Sequence, residues 1–122
     1  MSTNTYTNAK IKLRGTQTIY TAPVAGTSII KSIRVTNTDE NTDRTVSLFI
    51  TDGSSVDFYV ELNRTIQKKS SQEILAAGNL DQNSADSSVS SPTPLILKSS
   101  EVLKATTTGS DIELVASILE MT

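Results

Sequence analysis

Two pairs of carboxylates are the first residues that could do chemistry. Asp57 and Glu61 stand four apart, and Asp111 and Glu113 two apart, in segments whose pattern alternates like a strand, so each pair would share one face. Paired carboxyls can serve as acid and base in glycoside cleavage, provided that a cleft holds them across a substrate. A second cluster lies in the polar run NTDENTD at 37–43, where Asp39, Glu40, Asn41 and Asp43 are hard oxygen donors suited to calcium. The run lacks the Asp-x-Asp-x-Asp-Gly spacing of a dedicated calcium loop, and Asn and Asp gather in turns because they bond to their own backbone. Gly26-Thr27-Ser28 and Gly53-Ser54-Ser55 look like anion-binding loops, but neither opens a helix and neither carries Gly-Lys-Thr, so both read as turns.

What is missing from the composition excludes more. With no His and no Cys there is no Ser-His-Asp or Cys-His arrangement, no ordinary zinc site, no disulfide and no side chain poised to change charge between pH 5 and 8. Aromatics are 4% of 122 residues and Trp is absent, leaving little to line a substrate cleft. The chain therefore reads as a non-enzyme with no cofactor. Sugar binding by a jelly-roll module is the competing function, with Tyr6, Tyr20 and Tyr59 as its only phenolic platforms. A net charge of −2 gives no attraction to nucleic acid. No apolar run is long enough for a membrane helix and residues 1–10 lack a signal pattern, so the expectation is a chain made and kept soluble in the cytosol of the cell that expresses it, with no membrane partner. Asn63-Arg64-Thr65 spells a glycosylation acceptor, which has no meaning without secretion.

These residues need elements to carry them, and the elements read as strands. The stretch YTAPVAGTSIIKSIRVTN at 20–37 organises the rest: Pro23 and Gly26 turn the chain, and a long central strand follows at about 27–36. Period two places Ile29, Ile33 and Val35 on its buried face and Ser32, Arg34 and Thr36 on the other. Residues 10–14 alternate, with Lys10, Lys12 and Arg14 on one face and Ile11 and Leu13 on the other, as in an edge strand guarded by charge. Val46, Leu48 and Ile50 form one buried face; after a turn at Asp52-Gly53, Val56, Phe58, Val60 and Leu62 form another. Phe49 and Tyr59 then fall on the outward side, a pair that asks for a cover from this chain or from a neighbour. The last segment sets Ile112, Leu114, Ala116 and Ile118 on one face and Val115 and Leu119 on the other, as in a strand buried twice. The sum is an all-β chain, a single antiparallel β-sandwich, jelly-roll-like, of about eight to ten short strands. Residues 1–8 read as a flexible N-terminal arm anchored by Tyr6 on a neighbour, 9–122 as the domain, and 78–94 as a long loop. An apolar share of 36% is lean for a globular core, which favours burial against copies or a larger partner.

The organising stretch resembles a pattern found in small virion structural proteins of tailed bacteriophages, carried by Tyr20, Pro23, Gly26, Ile30, Ile33, Val35 and Asn37. The resemblance continues through the apolar strand Leu95–Leu97, the Leu103 and Ala105 pair and the closing Glu120, and it departs where Ser100-Glu101 stands in place of Gly-Asp. It implies a β-sandwich subunit that decorates or cements a capsid, or that serves in a tail, collar or baseplate. Its partners would be itself, as a homo-oligomer with a trimer favoured, and the major capsid protein or another virion protein. Phe49, Tyr59, Val115 and Leu119 would then lie at subunit contacts, with Lys10, Lys12 and Arg14 facing an acidic partner surface. About 800 Å² per partner is enough for such a contact.

Overall fold

A computed structural model describes residues 4–52, 56–75 and 94–122, which form nine strands and no helix. In chain order they are β1 (Asn4–Leu13), β2 (Thr16–Thr21), β3 (Thr27–Asn37), β4 (Arg44–Thr51), β5 (Asp57–Ile66), β6 (Ser70–Glu73), β7 (Leu95–Leu97), β8 (Val102–Thr107) and β9 (Ile112–Met121). One antiparallel sheet runs β1, β9, β3, β6, with β7 pairing the same edge of β3 as β6; the other runs β2, β8, β4, β5. The two pack as a β-sandwich over a core in which Leu13, Ile33, Val35 and Leu114 of one sheet meet Val46, Leu48, Ile66 and Leu103 of the other, all without solvent exposure.

β3 shows how local chemistry sets the register. Its pairing with β9 slips between Ile30 and Ser32, and the extra residue, Lys31, inverts the alternation. Ser28 and Ile30 point inward before the bulge, and Ile33, Val35 and Asn37 after it. Ile29 is thereby turned to the outer face instead of the buried one that period two alone assigns. Pro23 and Gly26 make the expected turn. Gly26 has φ of +115°, and a Cβ there would stand 2.2 Å from the Met121 carbonyl oxygen, so the turn is pressed onto the end of β9.

Three further expectations change. Residues 4–8 are strand, not arm: Asn4 to Asn8 pair in register with Met121 to Ser117, because the ten-residue β9 offers hydrogen bonds that a Ser, Thr and Asn sequence fills as readily as an apolar one. Along β5 the ladder against β4 slips twice, with two extra residues on β5 and Asn63 at φ of +52°. Leu62 is turned out to solvent as a result, where unbroken alternation would bury it; Phe58, opposite Ile50 and ahead of both slips, keeps the inward side but is exposed at the sheet's end, as is Val56 just before β5, and Val60 alone of the four packs on the core. β9 does lie inside its sheet, yet the sandwich covers only one of its faces, and Val115 is exposed. The expected loop at 78–94 lies outside the described residues except for Pro94.

Candidate assembly surfaces

Neither carboxylate pair is assembled. The slips in β5 set Asp57 opposite Thr51 and Glu61 opposite Leu48, and since Leu48 and Thr51 lie an odd number of residues apart, the two acids point to opposite faces. Glu61 is held instead by Arg64 at 3.0 Å, whose Nε also donates to Gln72 of the other sheet at 2.9 Å. Asp111 precedes β9 and accepts from Arg44, while Glu113 stands on the outer face, 3.8 Å from the Lys12 ammonium.

The polar run at 37–43 spends its oxygens on the fold. Asn37, fully buried, donates through Nδ2 to the carbonyls of Thr42 and Ile66 and accepts the Asp39 amide. Asp39 accepts the Asn41 amide at 2.8 Å and the Arg44 guanidinium at 2.8 Å, and Arg44 reaches on to Asp111 at 3.0 Å. The Asn41 amide first, and the guanidinium after it, hold the Asp39 carboxyl below its ordinary range. Asp43 accepts the Lys68 amide. No group of three metal-ligating side chains is gathered among the described residues.

Tyr20 is equally occupied. Its hydroxyl bonds to Ser28, fully buried, at 2.8 Å and donates to the Glu120 carboxylate, tying β2 to the opposite sheet. Burial, with the carboxylate beside it, pushes the phenol up to about 12. It is a structural strut, not a sugar platform.

What remains are surfaces. Across the outer face of the β1 sheet, Tyr6 pairs with Leu119, Leu119 with Ile29, and Ile29 with Ile96, one apolar row over β1, β9, β3 and β7. Tyr6 is 74% exposed and Ile96 56%. The Lys31 ammonium lies 5.9 Å from the centre of the Tyr6 ring, a cation–π contact that steadies it. Next along the same face Asn8, Ser117 and Ser32 form a polar row; beyond it Lys10 pairs with Val115 and Val115 with Arg34, and then Lys12 with Glu113. Two shallow depressions, of about 210 and 270 Å³, lie along β1 on this face, beside Tyr6 and beside Lys10 and Lys12.

The second surface is β5, the last strand of its sheet among the described residues. Phe49 and Tyr59 pair across β4 and β5 with ring centres 5.4 Å apart, but they do not share a fate: Phe49 is 6% exposed, Tyr59 54%. Phe49 is thus covered within the chain itself, and Tyr59 presents itself together with Val56, Phe58 and Leu62.

Of the eight residues the sequence singles out for contact, Tyr6, Lys10, Lys12, Val115 and Leu119 come together on one face. Tyr59 sits on the other sheet, Phe49 is buried there, and Arg14 lies past the end of β1 with its amide bonded to Gln17. Ile29, Ile96, Phe58 and Leu62 were not legible as surface. A signal existed for Ile29: Ile30 and Ile33 can both point inward only if the strand carries a bulge between them.

Comparison by sequence finds no matching family model and no matching curated protein. Comparison by structure finds the fold. Infectious bursal disease virus, Gx strain, matches with a TM-score of 0.51 at 10% identity over 99% of this chain and 32% of that one, so this chain spans about a third of its length. The acidic stable capsid structure of Helicobacter pylori bacteriophage KHP30 matches at 0.49 and 14% identity over 100% of this chain and 94% of that one. A pentameric capsid protein from metagenomic phage sequences matches at 0.46 and 16%, over 94% and 60%. At these identities the likeness is one of fold.

Proposed function

We propose that this chain is a structural subunit of a virus particle, of the kind that decorates or cements a bacteriophage capsid, and that it works by burying surface rather than by chemistry. One observation carries the reading: Phe58, Tyr59 and Leu62, with Val56 just ahead of them, stand exposed on a strand that ends its sheet among the described residues, where a protein alone in solution would place charge. The sandwich likeness to infectious bursal disease virus is consistent with it, as is the way the polar clusters are consumed by the fold. The partners are further copies of the chain and the major capsid protein, and many weak contacts around a lattice add to a strong one.

Quantitative mass spectrometry of purified particles tests this. A copy number equal to that of the major capsid protein, or a simple fraction of it, is the expected result. A far lower ratio would move the chain to a tail, collar or baseplate. Absence from particles would end the virion reading, and binding on a glycan array would then favour a carbohydrate module.

A further inference from the structure

The two exposed apolar surfaces differ in charge. Around the Tyr6, Leu119, Ile29 and Ile96 row the outer face carries Lys10, Lys12, Lys31 and Arg34, against which stands Glu113, paired with Lys12. Glu73, opposite Arg34, has its carboxylate engaged by the Ile33 and Leu75 amides. Residues 56–63 carry Asp57 and Glu61, and since Arg64 meets Glu61 at 3.0 Å, Asp57 gives this stretch its negative charge. The row spans three strand spacings, about 14 Å. Phe58 and Tyr59 belong to opposite faces of β5, so the apolar groups wrap the rim of the sheet rather than lie flat on it, a ridge matched to a row.

We propose that copies of this chain join head to tail, the β5 rim of one copy seated on the Tyr6, Leu119, Ile29 and Ile96 row of the next. Phe58, Tyr59 and Leu62 cover the row, and Asp57 meets the ammonium groups of Lys10 and Lys31. The two surfaces lie on different sheets of the sandwich, so the contact is heterologous: after one pairing the pair keeps one rim and one row free, and the assembly grows until it closes into a ring or runs on as a filament. This inference does not rest on the virion reading, because the purified chain alone tests it while particle stoichiometry tests the other.

The experiment uses two variants that each spoil one half, Tyr6→Asp for the row and Phe58→Asp for the rim, measured by sedimentation velocity alone and mixed. Wild type is expected to exceed the 13.1 kDa monomer, each variant to sediment as a monomer, and the mixture to give a dimer and nothing larger, since one intact rim and one intact row remain. Should either variant fail to show the wild-type circular dichroism spectrum, Lys10→Glu and Asp57→Lys replace them at exposed positions; the double variant then restores assembly. A monomeric wild type, a variant that keeps the wild-type mass, or a mixture that stays monomeric would each overturn the proposal.

Discussion

Tyr20 and Arg44 carry most of the polar information in the fold, and both work by joining segments far apart in sequence. Arg44 draws Asp39 and Asp111 together, and a Cβ at Gly109 would come within 2.8 Å of its guanidinium, so the 108–110 turn is shaped around that side chain. Tyr20 reaches 100 residues along the chain to Glu120. Its effect on stability has a definite sign. The folded-state value of about 12 lies above the ordinary 10.0, so the unfolded chain loses the phenolic proton first; the contribution is full below pH 10 and disappears as pH rises to 12. Tyr20→Phe should therefore lower stability by about 1–2 kcal/mol at pH 8, because Ser28 and Glu120 lose their partner, and should flatten the fall between pH 10 and 12. Denaturant midpoints at pH 8 and 11 check both; equal alkaline slopes in the two proteins would show that another group governs that limb.

At the scale of elements, the turns and the bulges divide what the sequence reveals from what it conceals. Gly15 and Gly26 are both at positive φ, but no atom approaches within 4 Å of a Cβ at Gly15, whereas the Met121 carbonyl blocks one at Gly26. Gly15→Ala should cost about 1 kcal/mol from backbone strain alone. Gly26→Ala should cost about 2–4 kcal/mol, since the turn must leave β9 or distort. Urea midpoints with unchanged m-values would bear this out, and equal costs would show that the turn can give way. Pro23, Gly26 and the alternation of β9 made the sandwich legible, because turn chemistry and period two act over a few residues. Lys31 in β3 and the two extra residues in β5 did not, because a bulge has no composition of its own and is fixed by the partner strand. One slip reversed Ile29, and those in β5 turned Leu62 out to solvent. The contact face was half legible for the same reason: β1 and β9 pair through ten residues without a slip, so Lys10, Lys12, Val115 and Leu119 lie where alternation puts them.

For the whole molecule, the two sheets treat their ends differently. β1 ends its sheet with Lys10 and Lys12, charges that discourage a further strand, while β5 ends the other with exposed Tyr59 and Leu62, the latter 61% exposed. A sandwich that guards one edge and leaves the other apolar is asymmetric in its appetite for partners, and the thermodynamics of its unfolding should record what covers the rim. If copies of the chain do so, the folded state is stabilised by its own concentration. A hundredfold excess over the dissociation constant contributes about 2.7 kcal/mol. At roughly 4 °C per kcal/mol for a domain of this size, Tm should rise by about 10 °C between dilute and concentrated protein. The rise should shrink in high salt, where the Asp57 contact to Lys10 and Lys31 is screened, and vanish in Phe58→Asp. A wild-type Tm independent of concentration would assign the rim to a different protein, and the stabilisation should then appear only when purified capsids are added.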